Sequence, residues 1–222
     1  MNVNLKDELV HVKSEVVELL HGIESASSLL VTAISECDIQ KFESAKDYIK
    51  NVTTRTTAID NEVIKILALH SPEARDLRET VAYFKITNEL LRASTGIRSF
   101  IKGFVDLCSD VDITIVREYA VPMQKATTKA LNLVKTMIVT DCLDEIQEYY
   151  DDALIEESKT DDLFEMLEKK LLDEAVTQDN INKFELYHNL LRTLRKGEKI
   201  ADRALSIAHL ILYARLGGTI HK

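Results

Sequence analysis

From Tyr83 to Phe104 the chain reads YFKITNELLRASTGIRSFIKGF, in which Tyr83, Thr87, Leu90, Ser94, Ile97, Ile101 and Phe104 recur three and four residues apart. An α-helix completes a turn in about 3.6 residues, so these side chains fall on one stripe. A later segment, Leu190 to Ile211 (LLRTLRKGEKIADRALSIAHLI), carries the same stripe at an offset of 107: Leu190, Leu194, Gly197, Ala201, Ala204, Ala208 and Ile211. One long helix in each half with one shared register predicts an internal duplication.

The rest of the chain extends this pattern. Leu5, Leu9, Val12, Val16, Leu19, Ile23, Ala26 and Leu30 form a first stripe. Phe42, Ala45, Ile49, Val52, Thr56, Ile59, Val63 and Ile66 form a second, read as one helix with Asp38 as its N-cap. His70-Ser71-Pro72-Glu73 stops that helix and opens the third, with Ser71 expected to cap and Pro72 expected at the first helical position. The third helix is predicted from Pro72 to about Leu107, and Cys108-Ser109-Asp110 is the expected boundary between halves 1–109 and 110–222. A fourth helix covers about 111–139 and is expected to kink or divide at Pro122. The fifth covers about 142–174 with an apolar face at Leu163, Leu167 and Leu171. The sixth starts after Asp179 as N-cap and ends at Gly217-Gly218. The expected fold is all-α, two tandem three-helix bundles. A coiled-coil rod is the alternative, but short connections favour antiparallel packing within each half.

Composition narrows the function classes. The chain has 222 residues, with 2 prolines, 6 glycines and no tryptophan, too few turn residues for a β-sandwich or barrel. Its net charge is −9. Acids crowd between Asp141 and Asp162, opposed there by Lys159 alone, which is read as a solvated helix face that disfavours nucleic acid. Cys37, Cys108 and Cys142 make no CxxC pair, and reduced thiols in a cytosolic protein are the expectation. The charged N-terminus does not suit a signal peptide, and no stretch of 18 uncharged apolar residues predicts a transmembrane segment.

Two segments carry a resemblance. Pro72-Glu73-Ala74-Arg75-Asp76-Leu77-Arg78, followed by VAYFKITNEL (81–90), resembles the Pro-x-Ala-x-Asp-Leu-Arg pattern of the PhoU family of phosphate-uptake regulators. Glu198-Lys199-Ile200-Ala201-Asp202-Arg203-Ala204, running on to Gly217, is similar to that family's Glu-Arg-Ile-Gly-Asp segment. The resemblance implies twin three-helix bundles and no catalytic reaction. It also implies a cytoplasmic protein held against a phosphate transporter and its sensor kinase at the inner membrane face. Some family members bind metal clusters through paired (Glu/Asp)-x-x-x-Asp motifs on neighbouring helices.

Hard cations need several carboxylate oxygens, and acids at i and i+4 share one helix face. Glu198 and Asp202 meet that spacing, with His209 on the same flank. In the fifth helix the family's motif falls on Thr160 and Phe164, and a shift of one residue restores it as Asp161 and Glu165. The candidate metal ligands are therefore Glu198, Asp202, Asp161 and Glu165, for iron or another divalent or trivalent ion in the second bundle. In the first half the matching positions are Leu91 and Thr95, followed by Arg98 and Lys102, and no acid stands between Ile49 and Thr56. No site is expected there. The bland alternative pairs Glu198 and Asp202 with Arg195, Lys199 or Arg203.

The expected function is regulation of phosphate transport by protein–protein contact. A carboxylate-based metal-binding protein and a structural module that pairs into a homodimer are the alternatives.

Overall fold

The computed structural model describes residues 3–177 and 181–217. The expected N-cap Asp179 lies outside the described residues. Helices α1 (Val3–Glu36), α2 (Ile39–Asp47), α3 (Val52–His70) and α4 (Ala74–Val105) make the first half. The second half has a short α5 (Ile113–Ile115), then α6 (Val121–Val139), α7 (Leu143–Thr177) and α8 (Ile181–Leu216). No strand is present among the described residues, and the fold is all-α.

Every residue of the four stripes read from α1, α2 with α3, α4 and α8 is buried. Helices α1, α4, α8 and α6 pack as neighbours in a ring; α2 and α3 close it on one side, α7 on the other. Helices α4 and α8 run antiparallel: Arg215 lies 3.8 Å from Glu79, Arg203 lies 3.2 Å from Glu89, and Lys196 donates to the Ser99 carbonyl at 3.2 Å. The core is continuous across both halves.

Helix α1 meets partners from both halves, so its apolar face is wider than one stripe. Leu20, Ser27 and Ile34 are buried beside the first row. Gln124 of α6 donates to the Ser27 carbonyl at 3.0 Å and to its hydroxyl at 2.7 Å, and Lys135 reaches Glu24 at 2.9 Å. This double packing explains why α1, although it has no uncharged run of 18 residues, contains an 18-residue window of mean hydropathy 1.2, apolar enough by length and composition to cross a membrane. Fully buried members of that helix include Val16, Leu20, Ile23 and Leu30.

Five local expectations need correction. The second helix is broken into α2 and α3 by a turn at 48–51. Asp38 does cap α2, accepting from Gln40 and Lys41 at 2.9 and 3.2 Å. The break keeps the apolar spacing because its tightened turn, with Ile49 N–H on the Lys46 carbonyl and Val52 N–H on the Ile49 carbonyl, still leaves Ile49 and Val52 inside. The turn is also met from outside: Arg98 Nη2 adds a second donor to Ile49 O, and Tyr48 O lies close against Gly22. A Cβ on Gly22 would stand 2.8 Å from that oxygen, so no larger residue fits without movement.

Ser71 does not cap the third helix. It ends α3 in the left-handed conformation at φ 45°, Pro72 stands outside, and Glu73 takes the N-cap place without a side-chain bond. Pro72 cannot continue α3, which makes the left-handed stop the cheaper geometry.

The fourth helix runs through Pro122 without a break, its irregularity confined to the turn just before the proline. A π-helical turn at Val116–Ala120 precedes α6, where Val121 donates five residues back to Val116 O. The last two corrections concern α7 and the cysteines. The buried row of α7 is Ala153, Glu156, Thr160, Phe164, Leu167 and Leu171, with Leu163 half-buried. Glu156 is therefore no part of a solvated face: it is 4% exposed and takes Lys129 at 2.6 Å and Lys159 at 2.7 Å. Burial alone would raise its carboxyl pKa, but those two ammonium groups hold it below the usual range. Cys37 and Cys108 are bonded to each other, with Cα atoms 5.6 Å apart, and only Cys142 of the three is a free thiol. Sequence separation hid this pairing, since 71 residues part the two cysteines.

Candidate carboxylate site between α7 and α8

Helices α7 and α8 are antiparallel, and their facing residues form a ladder. Tyr150 meets His209 with its hydroxyl 2.7 Å from Nε2, and Arg195 lies over the Phe164 ring at 4.8 Å. Between those rungs stand the acids. Carboxylate oxygens of Glu157, Asp161 and Asp202 lie within 4.8 Å of one another. Glu198, only 2% exposed, sits within hydrogen-bond reach of Asp161.

The geometry brings Asp161, Glu198 and Asp202 together, as the motif spacing anticipates. Glu165 does not join them; it is exposed, one turn further along α7. Glu157 takes the place assigned to it. Glu157 and Asp161 are four residues apart on α7, and Glu198 and Asp202 are four apart on α8. Two acid pairs thus face each other across one helix seam.

The charges are poorly compensated. Burial, then Asp161, raises the Glu198 carboxyl to about 7, with Asp202 adding to the rise and Lys199 opposing it. Burial likewise raises Glu157, reinforced by Asp161 and Asp202. Like charges at this range disfavour full ionisation. Lys199 is the main internal counter-ion, 2.7 Å from Asp202 and 3.1 Å from Glu198. Arg195 Nε is 3.4 Å from Glu198 Oε2, an ion-pair distance without a hydrogen bond. Arg203 turns away to Glu89. One oxygen each of Asp161 and Glu198 is buried with no hydrogen-bond partner among the described residues.

Such a donor set fits a hard divalent or trivalent cation: four carboxylates, two buried oxygens without donors, and one mobile ammonium to displace. Lys199 has a half-exposed side chain and can swing outward. Glu157 and Asp202 also line a groove of about 620 Å³, with Lys85, Asn88, Arg92 and His209 elsewhere on its lining.

In the first half no equivalent exists among the described residues. Leu91 and Thr95 replace the acids, and Thr95 spends its hydroxyl on the Leu91 carbonyl at 2.9 Å. Arg98 occupies that seam by bonding the broken turn at Ile49.

Comparison with known proteins agrees with this architecture. Residues 16–100 match the PhoU domain model. A phosphate-specific transport system accessory protein PhoU homolog from Pseudomonas putida is 24% identical over 208 residues, covering 93% of this chain and 78% of the relative. A second homolog of that name, from Pseudomonas aeruginosa, is 23% identical over 93% of this chain and 83% of its own length. In fold, the chain is similar to the crystal structure of PhoU from Pseudomonas aeruginosa (TM-score 0.82, 19% identity, 96% of this chain and 99% of that one). It is also similar to the phosphate transport system regulatory protein PhoU from Streptococcus pneumoniae (TM-score 0.80, 16% identity, 98% and 100%). The PhoU domain match over residues 16–100, the two homologs and the two solved folds all point the same way: this chain is similar to PhoU proteins in sequence and in fold.

Proposed function

We propose that this protein is a non-enzymatic regulator of phosphate uptake and phosphate-responsive signalling. In this reading it acts in the cytoplasm by docking on a phosphate transporter and a sensor kinase at the inner membrane face. What carries the reading is the PhoU domain match over residues 16–100 joined to two relatives named as phosphate-specific transport system accessory proteins, each aligned over 93% of the chain. Long paired helices present wide, rigid faces, which suit partner proteins better than they suit a reaction. Halves 1–109 and 110–222 are taken as two copies of one duplicated unit, and the same faces would serve a homodimer. Affinity capture of the full chain from cells grown with excess phosphate and after starvation tests it. A transporter subunit or sensor kinase is expected in at least one state, and deletion of the gene is expected to alter phosphate-responsive transcription. Capture of neither partner together with unchanged transcription would overturn the reading.

A second reading is favoured by the facing acid pairs: Glu157, Asp161, Glu198 and Asp202 bind iron or another hard cation. Elemental analysis of purified protein, before and after loading with iron(III) or manganese(II), is the test. Bound metal is expected, and Glu157→Gln with Asp202→Asn is expected to abolish it, whereas Glu165→Gln leaves it intact. Equal metal content in all three proteins would exclude this site.

A further inference from the structure

The Cys37–Cys108 bond joins two places where the chain changes direction. Cys37 stands between α1 and α2 in a left-handed conformation, φ 49°. Cys108 follows α4 at the start of the link into the second half. That link, 106–112, is held by turn hydrogen bonds (Cys108 N–H to Phe104 O at 2.8 Å, Asp110 N–H and Val111 N–H to Leu107 O at 2.9 and 3.1 Å) and by Val111, which is buried in the core. It leads into the three-residue α5 and the π-turn Val116–Ala120, the least regular part of the second half among the described residues. The only covalent anchor of this segment to the first half's other corner is the disulfide.

Both cysteines are partly exposed, so a thiol in solution can reach them. Cys142 is exposed but lies at the opposite end of the bundle. Arg215, which ion-pairs with neighbouring Asp141, is also close to Lys13 of α1, and Cys37 is a further 24 residues along that helix. At 1.5 Å per residue that is about 36 Å, too far for Cys142 to exchange with the pair in the folded chain.

We propose that Cys37–Cys108 is a thiol–disulfide exchange site, opened by a dithiol reductant and controlling the order of residues 106–120. A thiolate of the reductant attacks one Sγ, forming a mixed disulfide and releasing the other cysteine as thiolate, which takes up a proton. The reductant's second thiol then displaces the first cysteine. The products are two protein thiols and the oxidised, cyclic reductant, with two electrons and two protons transferred. An oxidised dithiol drives the reverse. Reduction removes the staple and leaves the segment to its turn hydrogen bonds and to the packing of the buried Val111, Ile115, Val116 and Ala120.

The test uses the full chain and dithiothreitol. Native protein treated with iodoacetamide is expected to take one label, at Cys142, and three labels after reduction, matching its 3 cysteines. Amide hydrogen exchange across 106–120 is expected to speed up about tenfold or more on reduction and to slow again with oxidised dithiothreitol, while α7 is unchanged. Cys37→Ser with Cys108→Ser is expected to exchange fast with or without reductant. Three labels without reductant in protein purified anaerobically from cells and then briefly exposed to oxidised dithiothreitol would overturn the site. Exchange rates that agree within about twofold between the two redox states of the native sequence would overturn the control, even if the double variant does not fold.

Discussion

Burial and Asp161 push the Glu198 carboxyl up to about 7, from an ordinary glutamate value of 4.5. Between those values the folded state keeps a proton that the unfolded chain has released, so stability falls as pH rises through that window and levels off above it. In metal-free protein, Glu198→Gln is expected to remove this slope and to gain about 2 kcal/mol above pH 7, with little difference below pH 4.5. Urea denaturation across pH, with chelator present, measures it; parallel curves for both proteins would contradict it. The neighbouring Glu157 shows what spacing alone leaves open. Any acid four residues from Asp161 satisfies a helix-face rule, and both Glu157 and Glu165 do. Packing decides between them: Phe164 and Thr160 turn inward, the α8 register sets Asp202 opposite Glu157, and Glu165 is left in solvent. The i, i+4 pair Glu157–Asp161 was legible in the sequence; its precedence over Asp161–Glu165 was not.

At the scale of elements, apolar periodicity located the long helices and their buried faces but passed straight through the break between α2 and α3. A turn that preserves rotation leaves no trace in a stripe of buried residues. What marks it is a tertiary capture of carbonyls, by Arg98 on Ile49 and by the close approach of Tyr48 to Gly22. Gly22→Ala is accordingly expected to destabilise the protein by about 1–2 kcal/mol, the clash with a backbone oxygen outweighing the roughly 1 kcal/mol that alanine gains in helix propensity. Thermal or urea unfolding checks the sign; a more stable variant would show that the turn relaxes freely. Gly217 is the opposite case, readable in advance. It ends α8 at φ 82°, with its N–H on the Tyr213 carbonyl at 3.0 Å, as a glycine after the last apolar residue suggests.

For the whole molecule, the α1–α6 contact ties the halves through a buried polar group. Gln124 is 3% exposed and spends its amide on Ser27. Gln124→Ala is expected to cost about 1–3 kcal/mol, since the Ser27 hydroxyl loses a donor and the seam a side chain. Because one core spans both halves, that loss is expected to shift a single urea transition, not to split it in two. Two transitions would mean that the halves fold independently. The sequence by itself determined the helical class, the number of long stripes, the repeat between α4 and α8 and the acid pair on α8. All of these depend on residues a turn or two apart, whose geometry the helix dictates. Tertiary structure alone decided the cysteine pairing, the inward turn of Glu156, the choice of Glu157, and the double-sided burial of α1. Each of these depends on which residues distant in sequence meet in space, and that is fixed by the packing register of whole helices.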